Sequence, residues 1–191
     1  MLLPWLVALL YMVYEIKDIG LPHSISATYY CATCITPFMI ILGAAGLLLI
    51  TYNGYSKQDK IVCGIAGVFA LFICLFPCGE TNLEKVGTFN LPTEISSIAH
   101  NCSAIIFFLL LAYNSLFLFT KTGGNMTIKK KKRNIIYRVC GIGMVASFIL
   151  LIPFEILDVH CGIWIVEAIA LMFFGISWLT KAQCYKWLFK D

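Results

Sequence analysis

Three histidines and a handful of acids are the residues of this 191-residue chain that could carry hydrolytic chemistry. His23, His100 and His160 offer three neutral imidazoles, a set that can hold Zn²⁺ tetrahedrally with the fourth position open to water. Water bound in that way ionises near neutral pH, and Glu167 or Asp158 would serve as its general base. No HxxxH or HExxH pair fixes two of these ligands on one helix, so their convergence depends on the fold. The plainer use of the same rings is hydrogen bonding at the edge of an apolar region.

Sulfur offers a second chemistry. Cys31-Ala32-Thr33-Cys34 is a CxxC pair, and Cys74, Cys78, Cys102 and Cys161 fall near the same ends of the apolar stretches, whereas Cys63, Cys140 and Cys184 fall near the opposite ends. An oxidising compartment would permit disulfides in the first group. In a chain this apolar, however, a free cysteine usually behaves as a small buried hydrophobe.

A third possibility is binding without chemistry. Ser96, His100, Ser103, Phe107 and Asn114 recur at helical spacing and make one partly polar stripe, and His160, Trp164 and Glu167 align in the same way further on. With Ser26 and Tyr30 of an earlier polar segment, Ser96, His100, Ser103, Trp164 and Glu167 define a candidate pocket for a small molecule or a lipid headgroup. Glu167 would lie about 8 Å inside an apolar helix starting near Gly162. An acid at that depth faces the protein interior, with His160 or His100 as its expected partner.

The elements that must position these groups follow from composition and charge. With 60% apolar and 13% charged residues and a mean hydropathy of +0.87, the chain lacks the polar surface that a soluble domain of this size needs. Twelve of the fourteen Lys and Arg lie in Lys57–Lys60, Lys121–Arg138 and Lys181–Lys190, and eight of the ten acids lie in the segments between. Lys and Arg stay on the cytoplasmic side of membrane proteins, so this alternation predicts an all-α, polytopic bundle of six helices with both termini inside. The spans fall roughly at 1–19, 35–52, 61–78, 98–120, 135–154 and 163–180, in one domain covering 1–191.

Met1–Tyr14 alone covers only about 21 Å, so the first span should be helical from its start and run on to Ile19. No basic segment precedes it and no small-x-small site follows it, which argues against a cleaved signal. Gly43, Gly46, Gly64, Gly67, Gly141 and Gly143 predict close helix packing. Lys129, Lys130, Lys131, Lys132 and Arg133 are expected to meet anionic lipid headgroups rather than nucleic acid. With no inverted repeat or discontinuous span, a transporter is disfavoured.

Several stretches resemble a widespread family of uncharacterised bacterial integral membrane proteins. They are Ser24–Tyr30, Tyr52–Tyr55, Ala70–Phe72 with Leu75–Pro77, Ala112–Lys121, Tyr137–Gly141, and Glu167-Ala168 with Phe174–Lys181. The resemblance covers most of the chain from Ser24 onward and implies a multi-pass protein of the bacterial inner membrane, without an activity to carry over. It also implies a hydroxyl residue at the position of Cys31, which would make the CxxC peculiar to this chain. The placement of that CxxC, with Cys78 and Cys102 flanking a later loop, resembles the four-helix disulfide oxidases that pass electrons to quinone. A remoter resemblance, through Ser96-x-x-x-His100, is to membrane-embedded zinc lipid hydrolases of the alkaline ceramidase and adiponectin-receptor type. Those have seven spans and a paired-histidine motif in the last, and this chain has neither.

Overall fold

The computed structural model describes residues 2–14, 21–122, 124, 126–157, 159 and 161–183. Its helices are α1 (Leu3–Tyr14), α2 (Ile35–Thr51), α3 (Lys57–Leu75), α4 (Thr93–Tyr113), α5 (Ile128–Ile156) and α6 (Gly162–Lys181). Helix α4 runs on through a π turn, Asn114–Leu118. The all-α class is therefore as expected. Among the described residues, four helices, α3, α4 with its π turn, α5 and α6, are long and apolar enough to cross a membrane, while α1 and α2 are shorter apolar helices; the expected run of the first span on to Ile19 lies outside the described residues. Their outward faces carry Ile98, Ile105, Leu109, Ile142 and Ile149, all more than half exposed. A soluble protein does not present apolar surface on that scale.

Consecutive helices pack on one another, and α1 closes the bundle by lying against both α2 and α6. Where α2 crosses α3 the backbones touch. A Cβ on Gly67 would stand 2.7 Å from Ile50 Cγ1 and 2.9 Å from Ile50 N, and one on Gly46 would stand 3.0 Å from Gly67 O. Small residues make this approach possible, as expected for helices that associate through packing rather than by expelling water. Gly64, one turn earlier than Gly67, has nothing within 4 Å of its would-be Cβ and needs no such explanation.

The helix boundaries depart from the hydropathy-based ones for identifiable reasons. Helix α3 starts at Lys57 because Ser56 and Asp59 form a reciprocal capping box there, so the basic segment before the third span is already helical. It ends at Leu75 because Pro77 follows, and the residue before a proline is pushed out of the helical region. Helix α4 begins at Thr93, five residues before the apolar run, and α5 begins at Ile128 within the basic segment and continues past Pro153 to Ile156. Between α3 and α4 lies a two-stranded antiparallel hairpin, β1 (Lys85–Val86) with β2 (Leu91–Pro92), which periodicity could not show in strands of two residues each. Gly87, at φ +73°, turns this hairpin, and a Cβ there would strike Pro77 Cδ at 2.7 Å.

The charge sorting has a direct structural counterpart. One end of the bundle gathers the starts of α2, α4 and α6 with the end of α3, through contacts between Ser24 and Glu80, Tyr30 and Cys78, and Ile25 and Glu167. The other gathers the ends of α4 and α6 with the starts of α3 and α5, where Lys121 meets Gln58 and Lys130 meets Phe119. His100 belongs to the first end and Lys129–Arg133 to the second.

Candidate functional site

At the histidine end, the segment Leu21–Tyr30 folds over the bundle and is held by hydrogen bonds to α6 and to the connection between α3 and α4. Glu167 accepts the Ile25 backbone N–H at 2.6 Å and the Ser26 hydroxyl at 3.3 Å. Its described partners are thus in the first turn of a short 3-10 helix, Ser26–Tyr30, while His100 bonds elsewhere. A carboxylate suits that place, since the free N–H groups opening a helical turn carry partial positive charge. Trp164 donates its backbone N–H to His23 O at 3.1 Å and stacks edge-on against Trp5. Its indole N–H is buried without a hydrogen-bond partner among the described residues.

The polar stripe on α4 serves the broken end of α3. His100 Nδ1 donates to Phe76 O at 2.7 Å, and Ser96 donates to Pro77 O at 2.8 Å. These carbonyls lie at and just past the end of α3, where no intrahelical partner is left for them, and two side chains from the neighbouring helix satisfy them. Tyr30 extends the pattern by donating to Cys78 O, and burial pushes its phenol up to about 12. Ser103 turns back to its own helix, donating to Ala99 O at 2.6 Å. The sequence-predicted pocket residues therefore fall into two sets, one with Ser26, Trp164 and Glu167 and one with Tyr30, Ser96 and His100.

What lies beside Glu167 is chiefly apolar. A small internal cavity of about 30 Å³, room for a water molecule, is lined by Ser26, Phe107, Phe108 and Glu167. On its other side a groove of about 410 Å³ runs between α4, α5 and α6, walled by Asn101, Ala104, Phe108, Phe148 and Ile163 and reaching Glu167. Ionised, a carboxylate offers about four acceptor positions, so the two bonds to Ile25 and Ser26 leave room for a further donor.

His23 stands away from this groove. Its Nδ1 pairs with Glu80 Oε2 at 3.1 Å, and Glu80 also accepts from Ser24 at 2.9 Å. Glu80, which binds the two connecting segments of this end together, carried no sequence signal beyond being one acid among eight on its side. His160 and Asp158 lie outside the described residues. Among the described residues, no group of three His, Cys, Asp or Glu side chains converges to hold a metal ion. The sulfurs of Cys31 and Cys34 are 2.9 Å apart, with both residues buried where α2 begins. Cys78 is buried and Cys102 exposed, and neither is bridged.

Comparison with family models, with curated proteins and with solved structures found no match. The class of protein that the fold defines is an α-helical bundle with four described helices long and apolar enough to cross a membrane.

Proposed function

We propose that this protein is a six-span membrane protein, with both termini cytoplasmic, that binds a lipid headgroup or lipophilic small molecule beside Glu167 in a non-catalytic role. The observation that carries this reading is the meeting of a half-buried carboxylate with an apolar groove open to the side of the bundle. An amphiphile would lay its chain between Phe108, Phe148 and Ile163 and bring a hydrogen-bond donor to the free acceptor positions of Glu167. The orientation is supported by the separation of Lys129–Arg133 from His100 along the helices, and the bacterial inner membrane by the family resemblance. On this reading the exposed Lys129, Lys131 and Lys132 meet anionic lipid.

Native mass spectrometry of the protein extracted in mild detergent tests the site. A co-purified molecule should fall in occupancy by about tenfold or more in Glu167→Gln, the effect of one charge-assisted hydrogen bond. It should be excluded by Ala104→Phe, which fills the groove. Full retention in both variants, or no bound molecule in the parent, rejects the proposal.

A second reading is favoured by one distance, the 2.9 Å between Cys31 and Cys34. This dithiol could close to a disulfide while giving two electrons and two protons to a membrane quinone, which leaves as quinol. Alkylation of reduced and quinone-treated protein distinguishes the readings: unchanged labelling of Cys31 and Cys34 after quinone treatment eliminates redox chemistry.

A further inference from the structure

We infer that the basic end carries a separate binding site for a phosphate-bearing ligand, in the cleft between the start of α3, the end of α4 and the start of α5. The cleft measures about 430 Å³, and Lys121, Lys130 and Arg133 line it together with Tyr55, Ser56 and Asp59. Its cations are held in place rather than loose. Lys130 donates to Phe119 O at 2.7 Å and lies over the Tyr137 ring. Lys121 donates to Gln58 at 2.7 Å and approaches Asp59 at 3.9 Å. Lys181 stands 4.3 Å from the centre of the Tyr55 ring, at the rim.

The single acid in the wall is already answered. Asp59, buried, accepts the backbone N–H groups of Tyr55 and Ser56 at 2.9 and 3.2 Å and the Ser56 hydroxyl at 2.9 Å. Its charge is spent on the capping box and on Lys121, so the cleft keeps an excess of positive charge. Arg133 supplies the independent sign that something is missing. Its Nε is buried without a hydrogen-bond partner among the described residues, although a guanidinium N–H has no acceptor role to fall back on.

Three cations from two elements, each with donors to spare, fit a group with several oxygens and more than one negative charge, and a guanidinium fork suits phosphate in particular. The space exceeds that of inorganic phosphate, which points to an organic phosphate. Helix geometry separates this site from the general basicity of the segment. Lys130 and Arg133 are three residues apart and share a face, whereas Lys129, Lys131 and Lys132 are exposed.

The phosphate could belong to a soluble ester or to a phospholipid headgroup, and the test uses one probe for each. Full-length protein in phosphatidylcholine nanodiscs is titrated calorimetrically with sn-glycerol 3-phosphate. In parallel, discs doped with phosphatidic acid are analysed by native mass spectrometry. Binding of either probe supports the site and identifies the source. Lys130→Gln, Arg133→Gln and Lys121→Gln should each weaken it about tenfold, as removal of one charge-assisted contact predicts. In the sn-glycerol 3-phosphate titration, where the discs hold no anionic lipid, the paired control Lys131→Gln with Lys132→Gln should change the affinity by less than about twofold. Should Arg133→Gln fail to fold, Lys121→Gln decides, since its side chain is 46% exposed and its removal leaves the core untouched. Binding of neither probe, or an equal loss in the control, overturns the site.

Discussion

Glu167→Leu probes the most consequential contact at the histidine end. Leucine is close to glutamate in volume, so the bundle keeps its packing, but two donors lose their acceptor. The Ile25 N–H, held at 2.6 Å, and the Ser26 hydroxyl, held at 3.3 Å, would remain among buried neighbours. A buried donor stripped of its partner costs about 1–3 kcal/mol. The Ser26 bond is long and its hydroxyl can rotate to another acceptor, which places the sum near 2–4 kcal/mol rather than at the upper limit. That penalty falls on the seating of Leu21–Tyr30 over the bundle, so local opening should increase about 30- to 700-fold. Glu167→Gln should cost about 1 kcal/mol, because its carbonyl still accepts from Ile25 and its amide can donate to Ser26. Hydrogen exchange at the Ile25 amide, in protein held in detergent, reads this directly. If protection at Ile25 in Glu167→Leu stays within about twofold of the parent, the segment is held by something other than this carboxylate, and the argument that Glu167 organises the site fails.

Gly67→Ala should lower stability by about 1–3 kcal/mol through overpacking against Ile50, while Gly64→Ala, with open space around it, should be neutral. Equal effects of the two in thermal unfolding would contradict the crossing of α2 and α3 described above. Ser56→Ala should cost about 1 kcal/mol as loss of a helix cap, and Asp59→Ala more, since it also strands the N–H groups of Tyr55 and Ser56. An Asp59→Ala variant no less stable than Ser56→Ala would refute that order. The raised pKa of Tyr30 means that folding favours its protonated form. This contribution is intact below pH 10, the phenol's ordinary value, and is lost as pH rises toward about 12. Ultraviolet titration of the parent minus that of Tyr30→Phe should therefore show no extra phenolate near pH 10 and one appearing toward about 12, and ionisation of Tyr30 near pH 10 would refute its burial.

Much of the architecture was legible from residues in order. Apolar runs long enough to cross hydrocarbon, interrupted by charge, predict helices whatever their neighbours, because a backbone in lipid must satisfy its own hydrogen bonds. Even the start of α3 was written locally, in Ser56 and Asp59 three residues apart. The hairpin was not, because two-residue strands leave no period. Nor was the end use of the polar stripe: Ser96 and His100 could be placed on one face of α4, but that this face meets the carbonyls of Phe76 and Pro77 depends on how α4 sits against α3.

The same division holds at both ends of the bundle. Sequence alone determined that most basic and most acidic groups fall in alternating segments between the apolar helices, since the cost of placing charge in hydrocarbon acts on each residue independently of its partners. Only the tertiary structure decided that Glu167 answers the Ile25 N–H while His100 answers Phe76, and that Lys130 and Arg133 line one cleft with Lys121 while Lys129, Lys131 and Lys132 stay exposed. Those choices are made by distances between segments far apart in the chain, up to the 142 residues between Ile25 and Glu167, and helix packing alone sets them.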